Sequence, residues 1–309
     1  MIRKAIITGA TSHIGLALID FLLQKSYSIV AIIRPGTSRR NLLPVSDRLE
    51  LLEAQLWELD LLKLPDGSYD TLYHIGWNSD FENARYNLDG QIKNVDYTLK
   101  AAKLACKYGC RTFVGVGSQA ECGRITERLS VFTPDNPENA YASAKCIAYQ
   151  KAKEFCEIYQ IKFCWPRLLS TYGPYDRANT LIMSCLNACL NNNSLDLTGC
   201  EQIWDYIYIT DVANALYLIA TQGNHGKKYP IASGIGKPLK EYIEVIAKIT
   251  GYNRILDDVG KISYTDKHVM YLWGDISELT KDTGFIPEVG FESGIKQTLS
   301  VGSFITERN

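Results

Sequence analysis

A tyrosine and a lysine four residues apart are the side chains of this sequence best suited to acid/base chemistry. Tyr141 and Lys145 begin a segment of helical character, and residues i and i+4 share one face of a helix. A phenol with a pKa of about 10 is a poor base near neutrality, but a neighbouring cation favours the phenolate. The pair could therefore move the proton that accompanies hydride transfer, although spacing alone also fits a surface pair.

A serine at the end of a predicted strand completes this group. Ser118 follows the apolar run 112–116, at the carboxyl edge where α/β sheets hold their sites. Its hydroxyl could hydrogen-bond a substrate carbonyl oxygen, and the segment from Ser118 to Tyr141 has the length of a loop that crosses a site. We predict that Ser118, Tyr141 and Lys145 are catalytic.

A glycine turn near the N-terminus predicts a dinucleotide site. The run TGATSHIG, residues 8–15, separates an apolar strand from an amphipathic helix, so backbone N–H groups and the helix N-terminus can face a pyrophosphate. An ordinary strand-to-helix turn is the alternative. The residues of this turn predicted to contact the cofactor are Gly9, Thr11, Ser12, His13, Ile14 and Gly15.

Basic residues follow the second predicted strand. Arg34 stands where an acidic residue would bind the ribose 2′-OH of NAD, and Ser38, Arg39 and Arg40 come next. Guanidinium groups suit a 2′-phosphate, so Arg34 and Arg39 favour NADP, with NAD possible. A solvated basic loop would have the same composition.

The elements that carry these residues alternate between strand and helix. Strands are predicted at 2–8, 28–33, 49–56, 71–75, 112–116 and 162–165, and helices at 16–23, 88–107 and 141–159. This alternation predicts an α/β fold, a Rossmann-type doubly wound parallel sheet. We predict a dinucleotide-binding domain over 1–173 and a smaller, partly interleaved substrate-binding lobe over 174–309. That lobe has predicted helices at 180–191, 211–220 and 238–250, with Asp211 near an N-cap, and a strand at 206–209.

Composition excludes several classes of protein. A net charge of −1 over 309 residues argues against nucleic acid as a partner. No apolar run approaches the ~20 residues of a membrane span, and no signal-peptide pattern opens the sequence. The nine cysteines lack metal-ligand spacing, so we expect no metal site and reduced thiols in a cytoplasmic protein.

Taken together, these motifs resemble the extended short-chain dehydrogenase/reductases of the NAD-dependent epimerase/dehydratase type, which act mostly on nucleotide-diphosphate sugars. TGATSHIG resembles TGxxGxxG, YASAK resembles YxxSK, residues 167–174 resemble RxxNxYGP, and residues 204–211 resemble RDFxxVxD. The resemblance implies further cofactor contacts, namely Asp60, Leu61, Ile75, Gly76, Asn94 and Leu168. It also implies that Tyr141 and Lys145 contact the cofactor, and that the substrate-binding residues are Ser118, Gln119, Ser170, Arg177 and Trp204.

Three departures from the family pattern bear on the reaction. Gln119 and Ala120 replace an acidic pair that follows the serine in the 4,6-dehydratases, so we do not expect a dehydratase. Ser170 replaces an asparagine, and Trp204 replaces an arginine that meets the diphosphate. Arg177 could compensate, and Trp204 could either stack on the substrate or pack in the core.

The resemblance implies an NAD(P)-dependent reductase or epimerase of a nucleotide sugar, with hydride transfer at a sugar carbon, commonly C4. Tyr141 would be the acid/base. Two alternatives stay open: an NADP-dependent reductase of a small non-nucleotide carbonyl compound, and a non-catalytic dinucleotide sensor. The helices at 88–107 and 141–159 resemble those of the family's dimer-forming four-helix bundle, which implies a homodimer.

Overall fold

A parallel six-stranded sheet forms the centre of the structure, a computed structural model that describes residues 3–80, 82–266 and 268–301. The described strands are β1 (Lys4–Thr8), β2 (Ser28–Ile33), β3 (Leu49–Glu53), β4 (Thr71–His74), β5 (Thr112–Gly115), β6 (Gly117–Ser118), β7 (Lys162–Cys164), β8 (Arg167–Leu168), β9 (Ser170–Tyr172), β10 (Ile203–Trp204), β11 (Tyr206–Tyr208), β12 (Pro230–Ile231), β13 (Lys237–Pro238) and β14 (Tyr271–Leu272). The described α-helices are α1 (His13–Gln24), α2 (Leu88–Lys107), α3 (Ala140–Ile158), α4 (Leu181–Leu190), α5 (Ile209–Gln222), α6 (Leu239–Thr250), α7 (Ser277–Thr283) and α8 (Phe291–Ser300).

The central sheet has the order β3-β2-β1-β4-β5-β7, and every pairing in it is parallel. Its strands read as continuous apolar runs because helices cover both faces. Ala5 and Ile7 of β1 pack in the cluster that contains α1 and α5, whereas Ile6 packs in the cluster that contains α2 and α3. The fold-class prediction is thus confirmed. The order reverses between β1 and β4, which creates the crevice where such sheets bind ligands.

The second half of the chain adds short strands beside the carboxyl edge of this sheet. β8 lies between β6 and β12, β11 pairs with β9, and β10 lies between β13 and β14. α5 returns to pack against α1. The domain division at residue 173 stays a prediction, and the last eight residues of the predicted lobe, 302–309, lie outside the described residues.

Two predicted strands end earlier than expected. The strand at 49–56 ends at Glu53, and a 3-10 helix follows at Leu56–Leu61. The strand at 206–209 ends at Tyr208, which is the N-cap of α5. Asp211 lies near that N-cap, in the first turn of α5, as predicted. Its buried carboxylate accepts hydrogen bonds from the backbone of Glu288 and Val289, both at 3.0 Å, and so anchors the chain before α8.

Among the described helices, none has the length and apolar character needed to cross a membrane.

Candidate active site

The glycine turn lies at the point where the sheet order reverses. Gly9 has a φ of +68°, and a Cβ there would lie 2.6 Å from the backbone nitrogen of Gly76, which follows β4. A Cβ on Gly15 would lie 2.4 Å from the carbonyl oxygen of Gly9. Ser12 caps α1, its hydroxyl accepting from the Gly15 N–H at 3.0 Å. The turn therefore needs glycine at both positions, and it directs a helix N-terminus into the crevice.

His13 connects the glycine turn to the second half of the chain. Its Nδ1 donates to the carbonyl oxygen of Pro174 at 2.9 Å, while its Nε2 is buried without a hydrogen-bond partner among the described residues. Burial lowers the pKa of this imidazole, and Asp176 opposes that effect. Thr11 and Ile14 lie in the same turn and are partly buried. In the neutral ring that donates from Nδ1, Nε2 is an acceptor, so it is suited to a hydroxyl or amide N–H of a ligand in the crevice.

The end of β4 forms the opposite wall of the crevice. The Thr8 hydroxyl donates to Nδ1 of His74 at 2.8 Å and accepts from the Gly76 N–H at 3.2 Å. Burial lowers the pKa of His74 to about 3, so the ring is a neutral structural bridge. Asn94 of α2 fixes the next segment through paired hydrogen bonds with the backbone of Asn78, at 2.7 and 2.9 Å.

The structure brings Ser118, Tyr141 and Lys145 together. Ser118 ends β6, beside Leu168 of β8, and forms a side-chain hydrogen bond with Tyr141. Tyr141 lies in the first turn of α3. The Asn139 side chain caps this helix by accepting a hydrogen bond from the Ala142 N–H at 3.0 Å. Lys145 is buried one turn further along the same helix. These are the contacts expected of an acid/base group with a neighbouring serine.

The ammonium of Lys145 donates to the backbone and lies 5.9 Å from the centre of the Tyr141 ring. Its Nζ donates to the carbonyl oxygen of Val116 at 2.6 Å and lies 3.6 Å from the ring centre of Trp77. Burial lowers the pKa of Lys145 to about 7, and the carboxylate of Glu121 opposes this. The lysine is thus partly neutral near neutral pH, which is unusual for this side chain.

The pKa of Tyr141 differs from the sequence-based expectation. Burial raises it, the hydrogen bond from Ser118 lowers it, Glu121 raises it, and Arg85 and Arg177 lower it. A raised pKa keeps the phenol protonated at neutral pH, which is the form that donates a proton.

Trp77 and Arg85 are two neighbours of this group that the sequence reasoning missed. The Trp77 ring meets the Tyr141 ring edge-on at 5.9 Å, and its Nε1 donates to Gln91 of α2 at 2.9 Å. Arg85 lies 5.8 Å from the centre of the Tyr141 ring, and its carbonyl oxygen accepts from the Tyr141 N–H at 3.0 Å. The sequence signal for Trp77 was its position directly after Gly76, at the end of a predicted strand, where α/β sheets place their sites.

The predicted 2′-phosphate residues already have partners. Arg34 pairs with Asp80, and both side chains are mostly exposed. Arg39 donates to the carbonyl oxygen of Tyr175 at 2.8 Å, and Arg40 pairs with a carboxylate at the end of β3. Arg34 and Arg40 both form exposed surface pairs that a cofactor phosphate could displace, and Arg34 is the one that directly follows β2.

The predicted cofactor contacts Asp60 and Leu61 lie in the 3-10 helix that follows β3. Asp60 pairs with Lys100 of α2 at 3.1 Å, and Leu61 is 77% exposed at the end of that helix. The Leu56 side chain of the same segment reaches Gly76, since its Cδ2 would lie 2.8 Å from a Cβ at that glycine. Leu56 therefore lines the crevice at Gly76, and the cofactor contacts of Asp60 and Leu61 stay a prediction.

The predicted substrate-binding residues lie on neighbouring segments. Trp204 Nε1 donates to the Ser170 hydroxyl at 2.6 Å, so the two residues that depart from the family pattern contact each other. Gln119 is partly exposed beside Ser118. Arg177 is exposed and acts electrostatically on Tyr141. The part of the site formed by Ser170 and Trp204 is thus uncharged. The positive charges that act on Tyr141 come from Arg85 and Arg177.

One carboxylate cluster has metal-like spacing among the described residues. Ligand atoms of Glu121, Asp135 and Cys146 lie within 4.8 Å of one another. Arg167 and Lys228 already pair with both carboxylates. A cation entering this cluster would have to displace two ammonium or guanidinium groups, so its charge is already balanced.

Known proteins with similar sequences and structures modify nucleotide sugars. The sequence profile described as the NAD dependent epimerase/dehydratase family matches residues 5–232. CDP-abequose synthase of Salmonella muenchen is 27% identical over 304 residues, covering 97% of this chain and 98% of that protein. A dTDP-glucose 4,6-dehydratase of Mycolicibacterium smegmatis is 22% identical over 307 residues, covering 96% and 92%.

Solved structures share the fold. A dTDP-glucose 4,6-dehydratase of Bacillus anthracis in complex with NAD superposes with a TM-score of 0.83 at 20% identity, covering 99% of this chain and 98% of that one. A UDP-glucose 4-epimerase of Thermotoga maritima with UDP-glucose has a TM-score of 0.81 at 17% identity, covering 96% and 97%.

The expectation that the chain is not a dehydratase is wrong. Relatives across most of its length are named dTDP-glucose 4,6-dehydratase and GDP-mannose 4,6 dehydratase. The expectation rested on the lack of acidic residues at Gln119 and Ala120. Elimination needs a proton donor and a base near the sugar carbons, and Lys145, whose pKa burial lowers to about 7, is a group of the site that can exchange a proton near neutrality.

Proposed function

Because this chain belongs to the NAD dependent epimerase/dehydratase family, we propose that it transfers a hydride between a nicotinamide cofactor and a carbon of a nucleotide-diphosphate sugar. The observation that carries the proposal is the contact of Ser118 with Tyr141, with Lys145 on the same helix, at the carboxyl edge of the sheet. C4 is the proposed carbon, and Tyr141 is the proposed acid/base.

The crevice suits a dinucleotide. Gly9 and Gly15 lie in the turn that lines the crevice, and a Cβ at either glycine would collide with backbone atoms. The capped N-terminus of α1 faces the crevice, and the unsatisfied Nε2 of His13 lies beside it. Gly9, Gly15 and Gly76 would let a pyrophosphate approach the backbone, and Lys145 would hold the nicotinamide ribose. When bound, the nicotinamide supplies the hydride acceptor or donor.

The chain's own residues supply the proton chemistry. In the oxidative direction Tyr141 takes the proton of the sugar hydroxyl, and in the reductive direction it returns a proton to the sugar oxygen. Ser118 orients that oxygen by hydrogen bonding. The raised pKa of Tyr141 favours the protonated phenol, the form that donates in the reductive direction. Because Arg34 favours NADP, which cells keep largely reduced, we propose a reductase first and an epimerase second.

Hydride transfer at C4 also connects this proposal to the reactions named for the relatives. A 4-epimerase must break and remake the C–H bond at the carbon that it inverts. A ketone at C4 acidifies the neighbouring C5–H, which elimination across C5 and C6 requires. The same oxidised sugar therefore serves these reactions, and the proton transfers that Tyr141 and Lys145 then support decide the product.

A nucleotide-diphosphate substrate is supported by the charges around Tyr141. Arg85 and Arg177 both act on the phenol electrostatically and both are exposed to the cleft. A diphosphate carries at least two negative charges at neutral pH, so cationic side chains beside the reacting centre favour it. The relatives named above carry CDP- and dTDP-sugars in their names. The nucleotide base itself stays open.

NADP is the proposed cofactor, with NAD as the second candidate. Arg34 in place of an acidic residue supports NADP, whereas the Bacillus anthracis neighbour was solved with NAD. Binding the 2′-phosphate would require Arg34 to exchange Asp80 for the phosphate. A thermal-shift screen of NAD and NADP, each with CDP-, dTDP-, GDP- and UDP-sugars, tests cofactor and substrate class together. Stabilisation by a dinucleotide but by none of the sugar nucleotides would defeat the nucleotide-sugar proposal.

We further propose a homodimer formed through α2 and α3. These helices pack together and also expose apolar side chains, including Leu88 and Ile92 on α2 and Ile147 and Ile158 on α3. Exposed apolar residues grouped on adjacent helices favour burial against a second copy. Light scattering at micromolar concentration should give twice the chain mass, and a monomer would refute this part.

A further inference from the structure

A buried charge network lies directly beneath Ser118 and is not used in the proton chemistry above. The carboxylate of Glu121 is fully buried, and the guanidinium of Arg167 is 1% exposed. Arg167 Nε donates to Glu121 Oε2 at 3.2 Å. Asp135 and Lys228 extend the network, with Lys228 Nζ 2.7 Å from Asp135 and 4.0 Å from Glu121. Two acids face two bases, so the network is neutral overall.

Glu121 holds the backbone of the proposed catalytic serine. Its Oε1 accepts from the Ser118 N–H at 2.8 Å and from Trp165 Nε1 at 3.0 Å. The Ser118 hydroxyl in turn accepts from the Ala120 N–H at 3.2 Å. This reciprocal arrangement caps the short 3-10 helix Gln119–Cys122 and fixes the direction of the Ser118 side chain.

The same network holds the loop that leads to Tyr141. Arg167 Nη1 donates to the carbonyl oxygen of Thr133 at 2.9 Å, and its Nη2 contacts Asp135. The carbonyl oxygen of Glu121 accepts from the Asn136 N–H at 2.8 Å. This loop ends at Asn139, the N-cap of α3, two residues before Tyr141. The ion pair of Glu121 and Arg167 thus contacts both segments: Glu121 binds the backbone of Ser118, and Arg167 binds the loop that leads to Tyr141.

We propose that Glu121 is a positioning residue, whose buried carboxylate sets the distance and direction between Ser118 and Tyr141 through Ser118's backbone and through Arg167. The proposal rests on the function proposed above for Ser118 and Tyr141. It assigns a role to a residue that sequence reasoning left without one.

A role in fold stability alone would not require this charge. Replacing a buried ion pair with apolar residues of similar volume is often neutral or stabilising. A carboxylate here also acts on the reacting groups, because its charge raises the pKa of both Tyr141 and Lys145. Other polar or charged groups that face Tyr141 are Ser118, Arg85, Arg177 and Lys145, whose Nζ lies 5.9 Å from the Tyr141 ring centre.

Two variants separate the charge from the geometry. Glu121→Gln keeps the length of the side chain and the acceptor for Ser118, but removes the charge. Glu121→Asp keeps the charge, but its side chain is shorter by one methylene, so the carboxylate lies farther from the Ser118 N–H and from Arg167. Glu157→Gln is the matched control, since Glu157 is an exposed carboxylate near the end of α3 that pairs with Lys153. For each variant we would measure kcat, KM and cofactor Kd, and kcat against pH, with the sugar nucleotide found by the binding screen.

For Glu121→Gln we expect kcat to fall about 10- to 100-fold while KM and cofactor Kd change by less than about 2-fold. The titration of kcat that reports Tyr141 should move to lower pH, because a charge that raises the phenol's pKa has been removed. Glu121→Asp should lower kcat similarly without moving that titration. The control should match the unmodified enzyme.

Several results would overturn the proposal. One is an unchanged kcat in both Glu121 variants, and another is a loss of kcat in Glu121→Gln without a shift in its pH profile. Failure of both variants to accumulate as folded protein would assign Glu121 to the fold instead of the site. Tyr141→Phe separates the two proposals: if it stays active, the proposed function fails, whereas an inactive Tyr141→Phe beside fully active Glu121 variants defeats the positioning role alone.

Discussion

Replacing Lys145 with methionine should stabilise the folded protein while it disables the enzyme. The ammonium is buried on α3, and burial lowers its pKa from 10.5 to about 7. Burial therefore opposes the charged form, so the folded protein is destabilised wherever Lys145 stays protonated. Active-site groups often lower stability in this way, so their removal can raise it.

The magnitude follows from the contacts of Lys145. A shift from 10.5 to about 7 means that the charged form costs about 4–5 kcal/mol, at about 1.4 kcal/mol per unit. Methionine loses the hydrogen bond to the carbonyl oxygen of Val116, which offsets about 1–3 kcal/mol of that gain. The variant should be more stable by about 1–4 kcal/mol below pH 7, a rise in Tm of roughly 2–6 °C for a chain of 309 residues.

The difference in stability between Lys145→Met and the unmodified protein should become smaller as the pH rises. Below about pH 7 the lysine is protonated in both folded and unfolded chains, so the full cost applies. Above about pH 7 the folded lysine loses its proton while the unfolded one keeps it, so the stability of the unmodified protein rises with pH. The advantage of Lys145→Met should shrink by about 2 kcal/mol between about pH 7 and pH 9.

Urea unfolding followed by circular dichroism at several pH values measures this directly. The control is Lys151→Met on the same helix, where an exposed lysine pairs with Glu154 at 3.4 Å. That change should alter stability by less than about 0.5 kcal/mol at any pH. A Lys145→Met protein that is less stable than the parent near pH 6, or a difference that does not vary with pH, would refute the burial argument.

Other substitutions test the remaining parts of the site. Gly15→Ala places a Cβ 2.4 Å from the Gly9 carbonyl oxygen, so dinucleotide affinity should fall at least about 100-fold by calorimetric titration, and unchanged affinity would remove the turn from the cofactor site. Arg34→Ala should weaken NADP binding about 10-fold or more and leave NAD unaffected; an equal effect on both would argue against 2′-phosphate recognition. Trp204→Phe loses the hydrogen bond to Ser170, so KM for the sugar nucleotide should rise about 3- to 10-fold with kcat nearly unchanged, and a loss of kcat alone would place Trp204 in the chemistry.

The long elements of the sheet could be predicted from the sequence because their apolar patterns are strong. Residues 28–33 and 88–107 are predicted with the bounds that the structure has. Asn87 caps the second of these, with its side chain accepting from the Gly90 N–H at 2.9 Å. Buried parallel strands and amphipathic helices give periodic signals over many residues, so their types are read reliably.

The parts that could not be predicted depend on tertiary contacts. Strands of two residues, such as β6 and β8, exist through pairing with distant segments and carry no periodicity of their own. The direction of Glu121 depends on the 3-10 helix after Ser118, which turns the carboxylate back toward the serine. Trp77 meets Tyr141 across segments more than sixty positions apart in sequence, a contact that spacing within either segment does not predict.

The central claim is that a hydride moves between a sugar carbon and a nicotinamide with Tyr141 carrying the proton. Stopped-flow absorbance of the reduced nicotinamide, recorded over a single turnover with a sugar nucleotide that binds, tests it most directly. We expect a fast absorbance change that Tyr141→Phe slows about 100-fold or more, with ligand affinity retained and with Tyr159→Phe, an exposed tyrosine at the end of α3, unaffected. No absorbance change with any sugar nucleotide that binds, or an undiminished change in Tyr141→Phe, would contradict the account.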